Sequence, residues 1–139
     1  HNIRLHRSRH SVLPVKIVPF ASAKLHYQAQ AKGTRIFHIF LHFLTPFCIA
    51  VGCYHDRWLK TYAVLLASLL IDLDHLLAEP IYDPTRCSIG FHPLHTIFPI
   101  TLYVLALVHP KTRVLGIGLC VHVMLDVMDC FIAPGGLCL

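Results

Sequence analysis

The sequence predicts an all-α integral membrane protein, a four-helix bundle preceded by a basic amino-terminal segment. Three observations carry this. Hydrophobic residues make up 55% of the 139 and charged residues only 14%, with a mean hydropathy of +0.61. That is more apolar and less charged than a soluble domain. Four apolar runs approach the ~20 residues a span requires. The His and Asp residues inside those runs all fall in one layer, as derived below.

Residues 1–35 stand apart. Residues 1–33 contain Arg4, Arg7, Arg9, Lys16, Lys24 and Lys32 and no acid; the first acidic residue is Asp56. The apolar stretch 11–23 is interrupted by Pro14, Lys16 and Pro19, too short and too broken to span. A basic leader or mobile tail is expected, on the membrane surface or free of it. A chain that begins at His1 reads as a fragment or a processed product.

The membrane domain is expected over 36–139, with spans at 36–54, 61–78, 94–108 and 114–133. HDRWLK joins the first two and HPKTR the last two; PGG ends the fourth. Residues 79–93 form a longer loop marked by Pro80, Pro84, Gly90 and Pro93. Short connections between spans give an antiparallel bundle. Side A carries residues 55–60 and 109–113, and side B carries both termini and the 79–93 loop. Arg57, Lys60, Lys111 and Arg113 on side A nearly balance Arg86, Lys24, Lys32 and Arg35 on side B. Discounting the leader makes side A cytoplasmic, in a bacterial inner membrane, and side B non-cytoplasmic. The net charge of +5 then points to lipid head groups as partners rather than nucleic acid. Cys48, Cys53, Cys87, Cys120, Cys130 and Cys138 form no C-x-x-C pair. They are expected as buried thiols, without a disulfide framework.

Ionisable groups inside a span are costly and mark function. His38 and His42 lie four apart in the first span. Asp72 and His75 share a face late in the second, with Asp74 on roughly the opposite side. His92 and His95 open the third. His122, Asp126 and Asp129 line one face of the fourth. Spans one and three run from side B to side A and carry their groups early. Spans two and four run back and carry theirs late. Every helix therefore places its polar groups in the side B half. Pro46 and Pro99 would free the carbonyls of His42 and His95 beside this layer. His55 and His109 fall in side A loops and are expected to be solvated.

His and Asp are ligands for zinc, manganese or iron, and i, i+3 and i, i+4 pairs let one helix offer two ligands. The candidate ligands are His38, His42, Asp72, His75, His92, His95, His122 and Asp126. They exceed one tetrahedral shell, so one or two ions are expected, zinc first. Asp74 or Asp126 is the candidate general base, Arg86 the candidate clamp on an anion, and Asp129 a supporting group or the partner of Arg86.

DLDHLL (72–77), DPTRCSIGFHPLHT (83–96) and HVMLD (122–126) resemble a family of small, uncharacterised bacterial integral membrane proteins related to the YdjM-like membrane-bound metal-dependent hydrolases. The likeness runs from about Ile36 to Phe131 and rests on Asp72, Asp74 and His75, the His92/His95 pair, and His122 with Asp126. More distantly the pattern is similar to zinc-dependent phospholipase C and its related nucleases. Gly90-Phe91 before His92 departs from the wider hydrolases.

The resemblance implies a metal-dependent hydrolase, and a phosphoester, borne on lipid, is the expected substrate. The alternative is a metal or proton transporter using the same groups as a relay. A relay needs a second polar layer on side A, where Val51, Leu65, Leu66, Leu105 and Leu115 are expected to close the bundle. A haem bundle is disfavoured by the carboxylates in the layer.

Overall fold

The computed structural model describes residues 20–81 and 86–132, with side chains from Lys32 onward. Four helical arms pack together: α1 (Phe20–Cys53), α2 (Trp58–Leu66) continued by a 3₁₀ helix (Ala67–Leu77), α3 (Ile97–Ala106) and α4 (Arg113–Ile132). A 3₁₀ turn, Pro93–His95, leads into α3. The predicted all-α, four-helix architecture is the one observed. α4 is the central arm, touching each of the other three.

Two elements depart from their expected bounds. α1 begins at Phe20 rather than near Ile36. The stretch AKLHYQAQAK is built from good helix formers, so the helix runs into the segment expected to be a tail. Residues 1–19 lie outside the described residues. α3 has ten residues, about 15 Å at 1.5 Å each, and falls short of the span expected over 94–108.

The second arm changes winding halfway, and the sequence shows why. Its buried positions are Thr61 and Leu65, four apart, then Ser68, Ile71 and Asp74, three apart. A 3₁₀ helix has three residues per turn and eclipses i with i+3. Leu70, Leu73 and Leu76 then form one exposed row, and Asp72 and His75 a half-buried row. Asp74 is therefore not opposite Asp72 but on the adjacent row, a third of a turn away. The ~2 Å rise of 3₁₀ also lengthens the arm, to about 35 Å over 58–77.

Glycines set the close crossings of α4. A Cβ on Gly118 would stand 2.9 Å from the Leu65 carbonyl oxygen, and one on Gly116 would stand 2.9 Å from the Ala106 carbonyl carbon. The backbones approach closely around Leu65, which is wholly buried. Of the five side chains expected to close side A, only Leu65 is buried; Leu66 is half-buried, and Val51, Leu105 and Leu115 face outward.

Among the described residues many buried side chains are polar and many exposed ones are large and apolar. His42, Asp74, His92, His95, His122 and Asp126 are buried, whereas Phe37, Phe40, Leu73, Phe98 and Leu102 are exposed. Two helical segments, Lys32–Cys53 and Arg113–Ile132, are long and apolar enough to cross a membrane.

One expectation about cysteine is corrected. Cys87 and Cys130 form a disulfide with a Cα–Cα distance of 5.3 Å. Cys87 lies in the 79–93 loop and Cys130 at the end of α4, so the bond ties the loop to the bundle. Cys48 and Cys53 are free and exposed rather than buried, and Cys120 is free and partly buried. Cys138 lies outside the described residues.

Candidate metal centre

α4 supplies the centre of the site. His122 and Asp126 are four residues apart and so share the face turned to the other arms. Asp126 Oδ2 lies 3.1 Å from His95 Nε2 and 3.3 Å from His122 Nε2. Asp72 Oδ1 lies 3.1 Å from His122 Nε2 and 3.6 Å from His95 Nε2. These four atoms come from the second, third and fourth arms. Metal–ligand bonds of about 2.0–2.1 Å in a tetrahedron put neighbouring ligand atoms about 3.3 Å apart. The cage therefore has the size of a zinc shell.

A second group surrounds the other oxygen of Asp126. His38 Nε2 lies 3.1 Å from Oδ1 and His42 Nε2 lies 3.5 Å from it. Both rings come from α1, at the i, i+4 spacing. Asp129 pairs with His38 Nδ1 at 3.9 Å rather than with Arg86. That distance exceeds a hydrogen bond.

The third group is Asp74, His75 and His92. Asp74 is buried and fully engaged. Its Oδ2 accepts the Leu94 N–H at 2.7 Å and the His95 Nδ1 hydrogen at 3.2 Å, and its Oδ1 pairs with His75 Nδ1 at 3.1 Å. His75 Nε2 reaches Ser88 Oγ at 3.1 Å, and the His75 ring stacks on His92 with centroids 3.7 Å apart. Burial first, and then the neighbouring His75 ring, hold His92 below the ordinary imidazole value.

The donor set fits a cation. His42 Nε2, His95 Nε2 and Asp126 Oδ2 are buried and have no hydrogen-bond partner. The Nδ1 atoms explain this. Asp74 takes the hydrogen of His95 Nδ1, and the His38 carbonyl takes that of His42 Nδ1 at 3.1 Å. In the neutral rings each Nε2 then presents a lone pair to a carboxylate oxygen. A metal ion between them turns that repulsion into ligation, with the acceptors at Nδ1 orienting the rings.

The structure thus gathers all eight sequence-derived ligand candidates, in three adjoining groups that the sequence did not separate. Pro99 falls in the first turn of α3, where it produces no kink. The His95 carbonyl is nonetheless engaged outside a helix, accepting the Gly90 N–H at 3.0 Å. Gly90 has a φ of +80°, a conformation that favours glycine. Ser88 was not anticipated, since one hydroxyl in a loop carries no spacing signal. Arg86 donates to the Pro80 carbonyl and lies over the Phe91 ring, 4.5 Å from its centroid. His55 and Asp56 are solvated on side A, as is His109. Among the described residues no group of metal-ligating side chains occurs on side A.

No curated protein and no solved structure matches the chain significantly. Residues 32–133 match the profile of a family of unknown function, DUF6122, and the chain belongs to that family.

Proposed function

We propose that the protein is a membrane-embedded, metal-dependent hydrolase of a phosphoester, acting on a lipid-borne substrate from the side B face. The observation that carries the proposal is the cage of Asp72, His95, His122 and Asp126, in which His95 Nε2 and Asp126 Oδ2 are buried 3.1 Å apart without a hydrogen-bond partner while His122 Nε2 meets Asp72 Oδ1 at 3.1 Å. The resemblance to YdjM-like hydrolases agrees with it. An outward apolar surface, two spanning-length helices and a second arm of about 35 Å support membrane embedding. The Cys87–Cys130 bond on side B supports a non-cytoplasmic face, where disulfides persist.

A divalent ion in the cage, zinc first, supplies Lewis acidity and makes water a nucleophile near neutral pH. The chain's own groups divide the remaining work. Asp74 and Asp126, expected as general bases, are 3% and 5% exposed and each is held by several partners. Asp72 is 42% exposed. It is the cage ligand that water reaches, so a substrate would approach the ion on its side. Asp74 becomes a positioning residue for His95. Arg86, in the loop that carries His92, would be the cation that meets a phosphate.

Detergent-purified protein loaded with zinc and given phospholipid vesicles should release a phosphate-bearing head group. Asp72→Ala and His122→Ala should abolish the release and lower the metal content. Tight metal binding without hydrolysis of any phosphoester would overturn the hydrolase. Zinc moving across proteoliposomes would favour a transporter instead.

A further inference from the structure

We propose that Asp126 bridges two divalent ions, the second held by His38 and His42 of α1. The inference rests on the metal reading of the first cage and adds a site to it. Its carrying observation is a fixed tautomer. The His38 carbonyl can only accept, so His42 Nδ1, 3.1 Å away, carries the ring hydrogen. His42 Nε2 then aims a lone pair at Asp126 Oδ1, 3.5 Å distant, from a side chain only 6% exposed. That nitrogen has no hydrogen-bond partner. His38 Nε2 converges on the same oxygen at 3.1 Å.

Two species relieve such a contact: a proton on the ring or a cation between the atoms. Protonation would have to recur at His95, whose Nδ1 is likewise committed to Asp74 and whose Nε2 faces the other oxygen of Asp126. Two buried imidazolium ions carry a large desolvation cost, and at His42 only Asp126 stands opposite to offset it, whereas His95 also faces Asp74 and Asp72. One divalent ion on each side satisfies both nitrogens and both oxygens together. Asp126 then serves each ion with a separate oxygen, Oδ1 to α1 and Oδ2 to the first cage.

The two sites differ in the ligands they offer. The first cage has four, of which Asp72 is 42% exposed. The α1 site has three, so a second ion there would keep a position open for water or an ester oxygen. Charge points the same way. One divalent ion is neutralised by Asp72 and Asp126. A second ion leaves two positive charges on the ligated pair, and these attract a phosphate ester.

The test uses the full chain in detergent, stripped with chelator and titrated with manganese alone. Two ions per chain are expected, with an exchange-coupled electron paramagnetic resonance spectrum, because two-metal sites hold their ions about 4 Å apart. His42→Ala and His42→Gln should each bind one ion and give an uncoupled spectrum. One ion in the wild type overturns this inference and leaves the first cage standing. No ion at all overturns both. Two uncoupled ions, or a coupled pair that survives in the His42 variants, place the second ion elsewhere and overturn it. The wild-type count and spectrum decide even if the variants fail to fold.

Discussion

The Nδ1 of His95 lies 3.2 Å from Oδ2 of Asp74, a residue 21 positions earlier on another arm. The same oxygen accepts the Leu94 N–H at 2.7 Å. A single carboxylate thus fixes both the backbone at the start of the third arm and the tautomer of the ring that follows. Metal-ligating histidines depend on such acceptors. Asp74→Asn should lower zinc affinity about 10–100-fold without removing a ligand. Competition with a chelating dye measures this. Unchanged affinity would show that the negative charge of Asp74 is not what His95 needs, since the amide oxygen of asparagine can still accept.

The disulfide should be worth a measurable share of stability. Cys87 and Cys130 are 43 residues apart in sequence, and cross-linking a loop of that size is worth about 4 kcal/mol in the chain-entropy account. The double variant Cys87→Ser/Cys130→Ser should unfold at a lower denaturant concentration in detergent. Intact-mass analysis before and after reduction should show a gain of two hydrogens from this bond. An oxidised wild type no more stable than the variant would count against a tether.

Gly118 should tolerate no side chain. Its Cβ would meet the Leu65 carbonyl oxygen at 2.9 Å, and that atom is backbone. Gly118→Ala should destabilise by about 1–3 kcal/mol through overpacking. Gly52 in α1 has nothing within 4 Å. Gly52→Ala is the control and should be neutral or mildly stabilising, since alanine is the better helix former. Equal losses at both positions would mean that the α4 crossing is not the cause. Thermal unfolding in one detergent compares them.

The exposed leucine row of the 3₁₀ segment tests the membrane reading. Leu70, Leu73 and Leu76 are each at least 60% exposed. A charge costs about 2.5–3.5 kcal/mol at the centre of a span on insertion scales and less toward its end, where Leu73 lies. Leu73→Asp should therefore reduce the membrane-inserted fraction, read by glycosylation mapping or carbonate extraction. Leu73→Ala should not. Full insertion of Leu73→Asp would place that row against protein or water.

Much of this molecule was legible in the chain. Composition and four apolar runs determined the all-α class, because only helices satisfy their own backbone in an apolar medium. The i, i+4 pairs His38/His42 and His122/Asp126 were readable because helix spacing alone puts them on one face. The convergence of polar groups on side B followed from strand-like counting of spans up and down, without any contact being known. The 3₁₀ winding at Ala67–Leu77 left a period of three in Ser68, Ile71 and Asp74, but a reading at 3.6 residues per turn placed Asp74 on the wrong row. What only the tertiary structure decided was partnership. Sequence offers eight ligand types; which nitrogen meets which oxygen depends on the relative rotation and depth of four arms. Close approach at Gly116 and Gly118 sets those quantities for α4. The Cys87–Cys130 pair likewise depends on how a loop folds back, 43 residues along the chain. Periodicity reports the face of one helix, whereas a site is made of distances between helices.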